Sequence, residues 1–456
     1  MTRVLLLRTP YVFGKPQIWL PMDLYKVAAR LDAIGVQTDV ADLNVDQLPD
    51  LKEYDQVGIG IVGAPSIPVS KDLAARIHAE TGKPVLMGGQ TVEKLPTADF
   101  QTIYNGFGTQ MRNDADLLAA LGKARSLPPA SNTTVADRIR QMPNDKARLY
   151  LENEFSFVVS QGCKYNCDFC AAAKNMPETF SKRIKPDLDA ICEKGKEVGI
   201  KKIEMYLSSL DLFQNPKQFA DVLRIFAYAR KEYGIDIQIR GLSRIDSFIR
   251  AMQKEPNFYK LIPEAGLVTV GFGVDGVTEE VWRGQHKVNK SLDEANRAFK
   301  ICRRAGVTPE ALLVLGFHPN SGFEGDTPES LAATVEYGAH IAKQFGTVLR
   351  PYVAKDFAPG NAGWTDPRYT AQKRHALAHL HLLKNLDYAA FASELTHPDA
   401  TFRTHVNIAY DKLLQFRRDG LCVTSPIMPY RDGTGVFDEQ HNKAAELFNK
   451  EVPFDH

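Results

Sequence analysis

The sequence predicts an α/β protein with an N-terminal doubly wound (Rossmann-like) domain, a second series of strand–helix units and a mostly helical C-terminal extension. Short apolar runs alternate with segments of helical periodicity over residues 1–125, and the same rhythm returns over 151–360. Residues 126–150 between the two series are polar and start with a Pro-, Ser- and Thr-rich stretch, which is typical of a linker. Over 361–456 the clearest pattern is an amphipathic helix at 370–386.

The composition is that of a globular chain with two or three domains: 456 residues, of which 44% are hydrophobic and 24% charged. A net charge of +1 gives no indication of a nucleic-acid or anionic-membrane partner. Arg8 interrupts the first apolar run, and no run of about 18 apolar residues follows, so neither a signal sequence nor a membrane span is predicted. Six scattered or clustered cysteines make no disulfide framework in a chain of this length. We therefore expect a cytoplasmic protein.

The first series contains short β-rich or apolar runs that we assign to strands of a parallel sheet. Predicted strands cover 4–7, 36–40, 57–62, 84–87 and 102–104, and predicted helices cover 22–34 and 73–78. Ligands of doubly wound sheets bind beyond the carboxyl ends of the strands. The segments there are 9–11, 63–66, 88–91 and 106–108, three of which contain glycine.

The second series repeats the pattern six times. Its predicted strands cover 155–160, 202–207, 235–240, 267–273, 312–316 and 347–352. Helical spacing lies between them, as at Leu188, Ile191 and Cys192. Cys192 and Cys302 lie on apolar helical faces, which indicates packing in the core.

Three further cysteines stand together directly after the first strand of this series. Cys163, Cys167 and Cys170 have a CxxxCxxC spacing, and clustered thiolates are typical ligands of a soft metal or an iron–sulfur cluster. Three ligands on a four-iron cluster leave one iron open for chemistry. The alternative is a zinc site completed by a distant histidine. His375 and His379 are four apart on a predicted helix, a pair that we interpret as polar surface.

The CxxxCxxC motif, with the aromatic Phe169 before its last cysteine, resembles the signature of the radical S-adenosylmethionine (SAM) superfamily. The resemblance implies a partial (β/α)6 barrel in which Cys163, Cys167 and Cys170 hold a [4Fe–4S] cluster. In that superfamily SAM chelates the open iron and is cleaved to a 5′-deoxyadenosyl radical. The implied partners are a small-molecule substrate and an electron donor such as flavodoxin or ferredoxin.

The same resemblance implies SAM contacts at the ends of the barrel strands. Ser208 and Ser209 stand where the family has a Gly-Gly-Glu-like segment, so hydroxyls or Asp211 would replace that contact to the SAM amino group. The remaining candidates are polar or glycine residues at later strand ends. They are Arg240 and Ser243 for the carboxylate and ribose, Asp275 for the ribose, and Gly316 near the adenine, with Phe169 from the cysteine motif.

A second resemblance concerns the N-terminal domain. Met87-Gly88-Gly89-Gln90 and Asn105-Gly106-Phe107-Gly108 are similar to glycine segments of cobalamin-binding domains attached to radical SAM enzymes. Glycine lets the backbone approach a large ligand closely, and Gly63, Gly88, Gly89 and Gly106 are the candidate contacts. The Asp-x-His-x-x-Gly segment that supplies a cobalt ligand in some cobalamin proteins is missing. The alternative is a flavodoxin-like domain that binds nothing.

Together the resemblances imply a radical SAM enzyme with cobalamin as a further cofactor, methylating an unactivated carbon or phosphorus of a small molecule. A rearrangement, cyclisation or oxidation without methyl transfer is the alternative within the enzyme class. A non-catalytic iron–sulfur sensor is the alternative outside it. Cys422 is the only cysteine after residue 360, which argues against the auxiliary clusters of peptide-modifying relatives.

Overall fold

The computed structural model describes residues 2–10, 18–61, 63, 66–165, 178–179, 181–284, 291–317, 325–354, 362–365, 367, 370–378 and 400–419. These residues divide into two compact units. The first contains the described parts of Met1–Arg138 and Asp356–Phe391, and the second those of Ile139–Lys355 and Ala392–Glu439. Among the helices described, none is long and apolar enough to cross a membrane.

The first unit contains a five-stranded parallel sheet with strand order β2-β1-β3-β4-β5. The strands are β1 (Arg3–Arg8), β2 (Gln37–Asp42), β3 (Gln56–Gly60), β4 (Val85–Gly88) and β5 (Gly108–Gln110). The helices are α1 (Met22–Asp32), α2 (Ile67–Thr81), α3 (Gln90–Lys94), α4 (Thr97–Tyr104) and α5 (Asp114–Ala120), with a short 3-10 helix at Leu51–Glu53. Because β1 lies inside the sheet, its four central residues are all buried and apolar. The predicted doubly wound class is confirmed.

One predicted strand is wrong. Residues 102–104 form the last turn of α4, and the strand begins four residues later at Gly108. Phe100, Ile103 and Tyr104 are all buried, and they recur at the three- and four-residue spacing of a helix face. The apolar residues at the end of a helix therefore have the same local pattern as a short strand. Asn105 ends the helix with φ 42° and Gly106 follows at φ 81°.

The segment after the second unit's sheet returns to the first unit. A 3-10 helix at Ala362–Thr365 and helix α15 (Thr370–Ala378) both belong to it. The Trp364 indole N–H donates to Asp99 Oδ2 at 2.9 Å, and the ring is 1% exposed. Lys373 Nζ lies 2.6 Å from the same carboxylate and 5.4 Å from the indole centroid. Residues 265 positions apart therefore share one buried contact.

The second unit contains a six-stranded parallel sheet with strand order β6-β9-β10-β11-β12-β13. The strands are β6 (Phe155–Val158), β9 (Lys202–Ser208), β10 (Asp236–Ser243), β11 (Leu267–Gly273), β12 (Thr308–Leu315) and β13 (Val348–Val353), with a separate ribbon of β7 (Ser160–Gln161) and β8 (Glu178–Thr179). Sequential parallel strands joined by helices agree with the predicted partial barrel. Arg240, predicted at a strand end, lies inside β10.

Helices follow nearly every strand of this sheet. They are α8 (Ser181–Glu197), α9 (Pro216–Tyr233), α10 (Ile245–Lys254), α11 (Phe258–Ala265), α12 (Glu279–Gly284), α13 (Leu292–Arg304), α14 (Pro328–Phe345) and α16 (Ala400–Arg418). A chain of edge-to-face rings from Phe213 through Phe248 and Phe272 joins the strands to the helices, with centroids 4.9 and 5.1 Å apart. Helix α16 packs on α14 and β13, with Val406 and Leu413 fully buried. Cys192 and Cys302 are also fully buried, as predicted.

The stretch predicted as a linker contains two short helices, α6 (Ala136–Arg140) and α7 (Asn144–Leu151). Helix α7 packs on α8 and buries Ala147, Tyr150 and Leu151. Its polar residues face the other way, and they dominate the composition of so short a helix. This is why the sequence pattern resembled unstructured chain.

Candidate active site

The cysteine motif stands in the sequence between the two strands of the β7–β8 ribbon, and we call the chain between these strands the cysteine loop. Ser160 pairs with Thr179 and Gln161 with Glu178, so the two strands bracket residues 162–177. Cys163 follows the ribbon at once and is half-buried. Cys167, Phe169 and Cys170 lie outside the described residues. The base of the loop therefore stands just beyond the carboxyl end of β6, where barrel enzymes have their active sites.

Two polar contacts fix the start of this loop to the segment after β9. The Gln214 side-chain amide donates to the Gly162 carbonyl at 3.1 Å, and Ser160 Oγ donates to Ser209 Oγ at 2.7 Å. Gly162 has φ 80°, a backbone conformation that favours glycine. Ser209 is thus engaged in holding the loop, whereas Ser208 ends β9 half-buried.

Asp211 joins the ends of β9 and β10. Its Oδ1 accepts hydrogen bonds from Ser243 Oγ at 2.8 Å and from the Arg244 backbone N–H at 3.3 Å. The residue is 1% exposed, and burial raises the pKa of its carboxyl group. A cavity of about 10 Å³, lined by Ser160, Asp211 and Gln214 among others, has room for about one water molecule. The buried Asp211 therefore connects the ends of β9 and β10 through hydrogen bonds. Ser209 and Ser243 both contact it.

Arg240 lies deeper in the barrel. It follows a register shift between Ile239 and Arg240, and its guanidinium donates to both carboxylate oxygens of Glu154, at 2.8 and 3.2 Å. The same guanidinium stacks on Tyr206 with 4.7 Å from Cζ to the ring centroid. Burial raises the pKa of Tyr206 to about 12, with Arg240 opposing this effect. A second buried pair, Glu310 with Arg350, lies on β12 and β13.

The ends of β11 and β12 carry the remaining predicted positions. Asp275 is buried with φ 59°, and its backbone N–H donates to the Leu312 carbonyl at 2.9 Å. Gly316 has φ 80°, and its N–H donates to Asp326 Oδ2 at 2.8 Å. The Phe317 N–H donates to the same oxygen at 3.0 Å, so Asp326 fixes the turn that Gly316 begins.

The glycine loops of the first unit lie at the carboxyl ends of β3 and β4 and before β5. Gly89 has φ 109°, and a Cβ added to it would overlap the Ile61 backbone. For Gly88 the nearest neighbour of such a Cβ is Met111 Cβ at 3.8 Å, and for Gly106 no atom lies within 4 Å. The carbonyl of Gly63 accepts a hydrogen bond from the Ser66 N–H at 3.0 Å. Gly88 and Gly106 therefore leave open backbone, whereas Gly89 is required by the fold.

Residues 157–337 match the family model of the Radical SAM superfamily. The chain carries a radical SAM domain. The match runs from β6 into α14, and it confirms the predicted radical SAM domain. A comparison with curated proteins finds no match.

Solved structures share the fold of nearly the whole chain. The radical SAM methyltransferase TsrM from Kitasatospora setae, with tryptophan substrate and the SAM analogue aza-SAM bound, is 15% identical with a TM-score of 0.60, covering 98% of this chain and 100% of TsrM. The cobalamin-dependent SAM radical enzyme OxsB, with aqua-cobalamin bound, is 12% identical with a TM-score of 0.59, covering 98% of this chain and 72% of OxsB. At these identities the likeness is one of fold.

Several residues that shape the radical SAM domain were missed by sequence reasoning. They are Glu154, Gln214, Asp326 and Tyr165 with its partners Asp246 and Arg250. Asp326 alone had a local signal, because Asp326-Thr327-Pro328 precedes α14 and Thr327 forms a capping box with Ser330. The others act on partners that are distant in sequence.

The turn at Gly316 in the radical SAM domain gives a pH-dependent prediction. Burial raises the pKa of the Asp326 carboxyl group above its ordinary value of about 4. The folded protein therefore binds this proton more tightly than the unfolded chain does. The resulting stabilisation is fully present below about pH 4 and is lost as the pH rises through the raised pKa. Asp326→Asn has no such proton. We expect the unfolding free energy of the variant, relative to wild type, to rise over that interval. Urea unfolding at several pH values measures it; a constant difference would contradict the prediction.

The glycine loops give a second prediction. Gly89→Ala should lower the free energy of unfolding by at least about 2 kcal/mol, because the new Cβ meets backbone and alanine avoids positive φ. Gly88→Ala, one residue away, should change it by less than about 1 kcal/mol, since its Cβ has ordinary contacts. Thermal unfolding of the two variants compares them directly. Equal losses would mean that the backbone at Gly89 relaxes freely.

Proposed function

We propose that the protein is a cobalamin-dependent radical SAM enzyme that methylates an unactivated carbon or phosphorus of a small molecule. The observation that carries this is the cysteine loop at the carboxyl end of a six-stranded parallel barrel, in a chain that also has a doubly wound unit. TsrM and OxsB have this fold over nearly the whole chain. The alternatives of a zinc site or a non-catalytic sensor have no such support.

The cluster would be held by Cys163, Cys167 and Cys170. Three thiols within eight residues match the soft ligand set of a [4Fe–4S] cluster with one open iron. The loop is closed by a ribbon and tied at Gly162, which fits the need to hold thiols at fixed separations. Phe169 would pack beside the bound SAM, as the resemblance implies.

SAM would lie across the strand ends. Ser208, Ser209, Arg240, Ser243, Asp275 and Gly316 are the proposed contacts. Hydroxyls, a carboxylate and glycine backbone suit a ligand with amino, carboxylate and ribose groups. Ser208 is the most available of the two serines at β9, because Ser209 is bonded to Ser160 and Asp211. Arg240 would act mainly through its pair with Glu154.

Cobalamin would lie at the strand ends of the first unit, against Gly63, Gly88, Gly89 and Gly106. The open backbone at Gly88 and Gly106 fits a large ligand in close approach. When bound, the cofactors supply a carbon-centred radical and a methyl group, which is chemistry that no side chain provides. The protein's own residues orient these groups and exclude water. We further propose an electron donor such as flavodoxin or ferredoxin and a cytoplasmic location.

The test is the cofactor content of protein purified without oxygen after growth with cobalamin and cluster reconstitution. We expect about one corrinoid and about four iron atoms per chain. Cluster-dependent 5′-deoxyadenosine would separate the enzyme from a sensor, and S-adenosylhomocysteine would separate methylation from rearrangement, cyclisation or oxidation. About four iron atoms per chain without corrinoid, even after incubation with cobalamin, would contradict the cobalamin proposal. The protein would then be a radical SAM enzyme without cobalamin.

A further inference from the structure

The cysteine loop has a second anchor besides the contacts at Gly162. Tyr165 lies between Cys163 and Cys167, and its hydroxyl donates to Asp246 Oδ2 at 3.0 Å. The same hydroxyl accepts a hydrogen bond from Arg250 Nη2 at 3.2 Å. Both partners belong to α10, 81 and 85 positions away in sequence. Tyr165 thus connects the loop after β7 to the helix after β10.

The aromatic ring of Tyr165 is held as firmly as its hydroxyl. The Arg244 guanidinium carbon lies 3.8 Å from the ring centroid, a close cation–π contact. Arg244 is itself oriented by Asp246, whose Oδ1 accepts from Arg244 Nε at 2.9 Å. Asp246 therefore binds the phenol with one oxygen and the stacked arginine with the other. The tyrosine has little freedom to turn or withdraw.

The charges around Tyr165 strengthen these contacts. Burial would raise the pKa of Asp246, but Arg244, Tyr165 and Arg250 together hold it below its ordinary value. The carboxylate is therefore ionised at neutral pH, and the hydrogen bond from Tyr165 is a charge-assisted one. Arg244 is buried and Asp246 is half-buried, whereas the Arg250 side chain is 45% exposed. Arg250 is accordingly the weakest member of the group.

We infer that Tyr165, Arg244, Asp246 and Arg250 form a clamp that positions the cysteine loop before iron arrives and slows loss of the cluster afterwards. This rests on the proposed cluster at Cys163, Cys167 and Cys170. Fixing the residue between two thiols removes freedom that metal binding would otherwise have to restrict. The four are positioning residues, since they act on the loop and not on substrate.

The test compares Tyr165→Phe with Tyr228→Phe as a matched control. Tyr228 is 48% exposed on α9 and has no described contact with the loop. Tyr165→Phe keeps the ring under Arg244 and removes only the hydroxyl. We expect the reconstituted variant to lose iron to excess EDTA about tenfold faster than wild type, the scale of one hydrogen bond to a charged group. The control should match wild type.

A second readout needs no cluster. Trypsin cleavage of the apo-protein after Lys164, the residue before Tyr165, reports how often this part of the chain leaves its folded position. We expect about tenfold faster cleavage in Tyr165→Phe, with thermal unfolding within about 2 °C of wild type. Should that variant fail to fold, Arg250→Gln takes its place with a smaller effect. Unchanged iron loss and unchanged cleavage would overturn the clamp. Wild-type protein that holds no iron would overturn the proposed function, while the cleavage rates would still decide on the clamp.

Discussion

Cys163→Ala is expected to abolish SAM cleavage, lowering 5′-deoxyadenosine formation by at least about 10³-fold, the scale on which loss of an essential catalytic group is seen. Cys163 is the first of three proposed ligands and begins the loop closed by the β7–β8 ribbon. With two thiolates left, the cluster should assemble poorly or be lost during purification. Iron analysis and the cluster absorbance measure this directly, beside the product assay.

The matched control is Cys192→Ala. Cys192 is fully buried in α8, and burial raises the pKa of its thiol to about 12, which makes it a poor ligand and nucleophile. We expect unchanged iron and a stability loss of about 1 kcal/mol from the cavity. Wild-type iron content and product formation in Cys163→Ala would show that the cluster lies elsewhere in the chain.

Arg240→Ala should lower the free energy of unfolding by about 3–5 kcal/mol, because it leaves the buried carboxylate of Glu154 without its partner. The two side chains are 9% and 4% exposed, and the pair has two hydrogen bonds. Chemical denaturation of the apo-protein measures the loss without any cofactor. Glu154→Ala should cost a similar amount, for the same reason with the charges exchanged.

Two further variants make this prediction specific. The double variant Glu154→Gln with Arg240→Met removes both charges at similar volume and should recover most of the stability. Arg283→Ala breaks an exposed pair with Glu279, where the arginine is 62% exposed, and should cost less than about 1 kcal/mol. An Arg240→Ala protein as stable as wild type would mean that water reaches Glu154.

The strands were the predictable part of this fold. Parallel strands buried on both faces are short apolar runs, so β1 and β11 could be read from the sequence nearly residue by residue. The error at 102–104 arose where a helix ends on Ile103 and Tyr104, since a three-residue window cannot distinguish a period of 2 from one of 3.6. Short polar helices such as α7 are hard to predict for a related reason. They bury so few residues that no helical periodicity can be recognised in the sequence.

The candidate site could be predicted where the cofactor chemistry requires a particular residue type. It could not be predicted where a residue's role depends on a partner that is distant in sequence. Clustered cysteines and glycines at strand ends have a local signature. Arg240 has none, because the partner that determines its position, Glu154, is 86 residues away. The role of Asp211 could not be predicted from the sequence either. Its position after β9 suggested a contact with a ligand, but the residue is buried and hydrogen-bonds the end of β10.

The contact of Trp364 with Asp99 has a consequence for the order in which the protein is made. At about 5–20 residues per second, a ribosome needs about 13–53 s to travel from Asp99 to Trp364. During that interval all of the barrel strands are synthesised, while the surface that will receive the indole stays uncovered. The first unit to leave the ribosome is therefore among the last to be completed. A gene fragment ending near residue 125 should yield a protein that aggregates, because it lacks its own final piece.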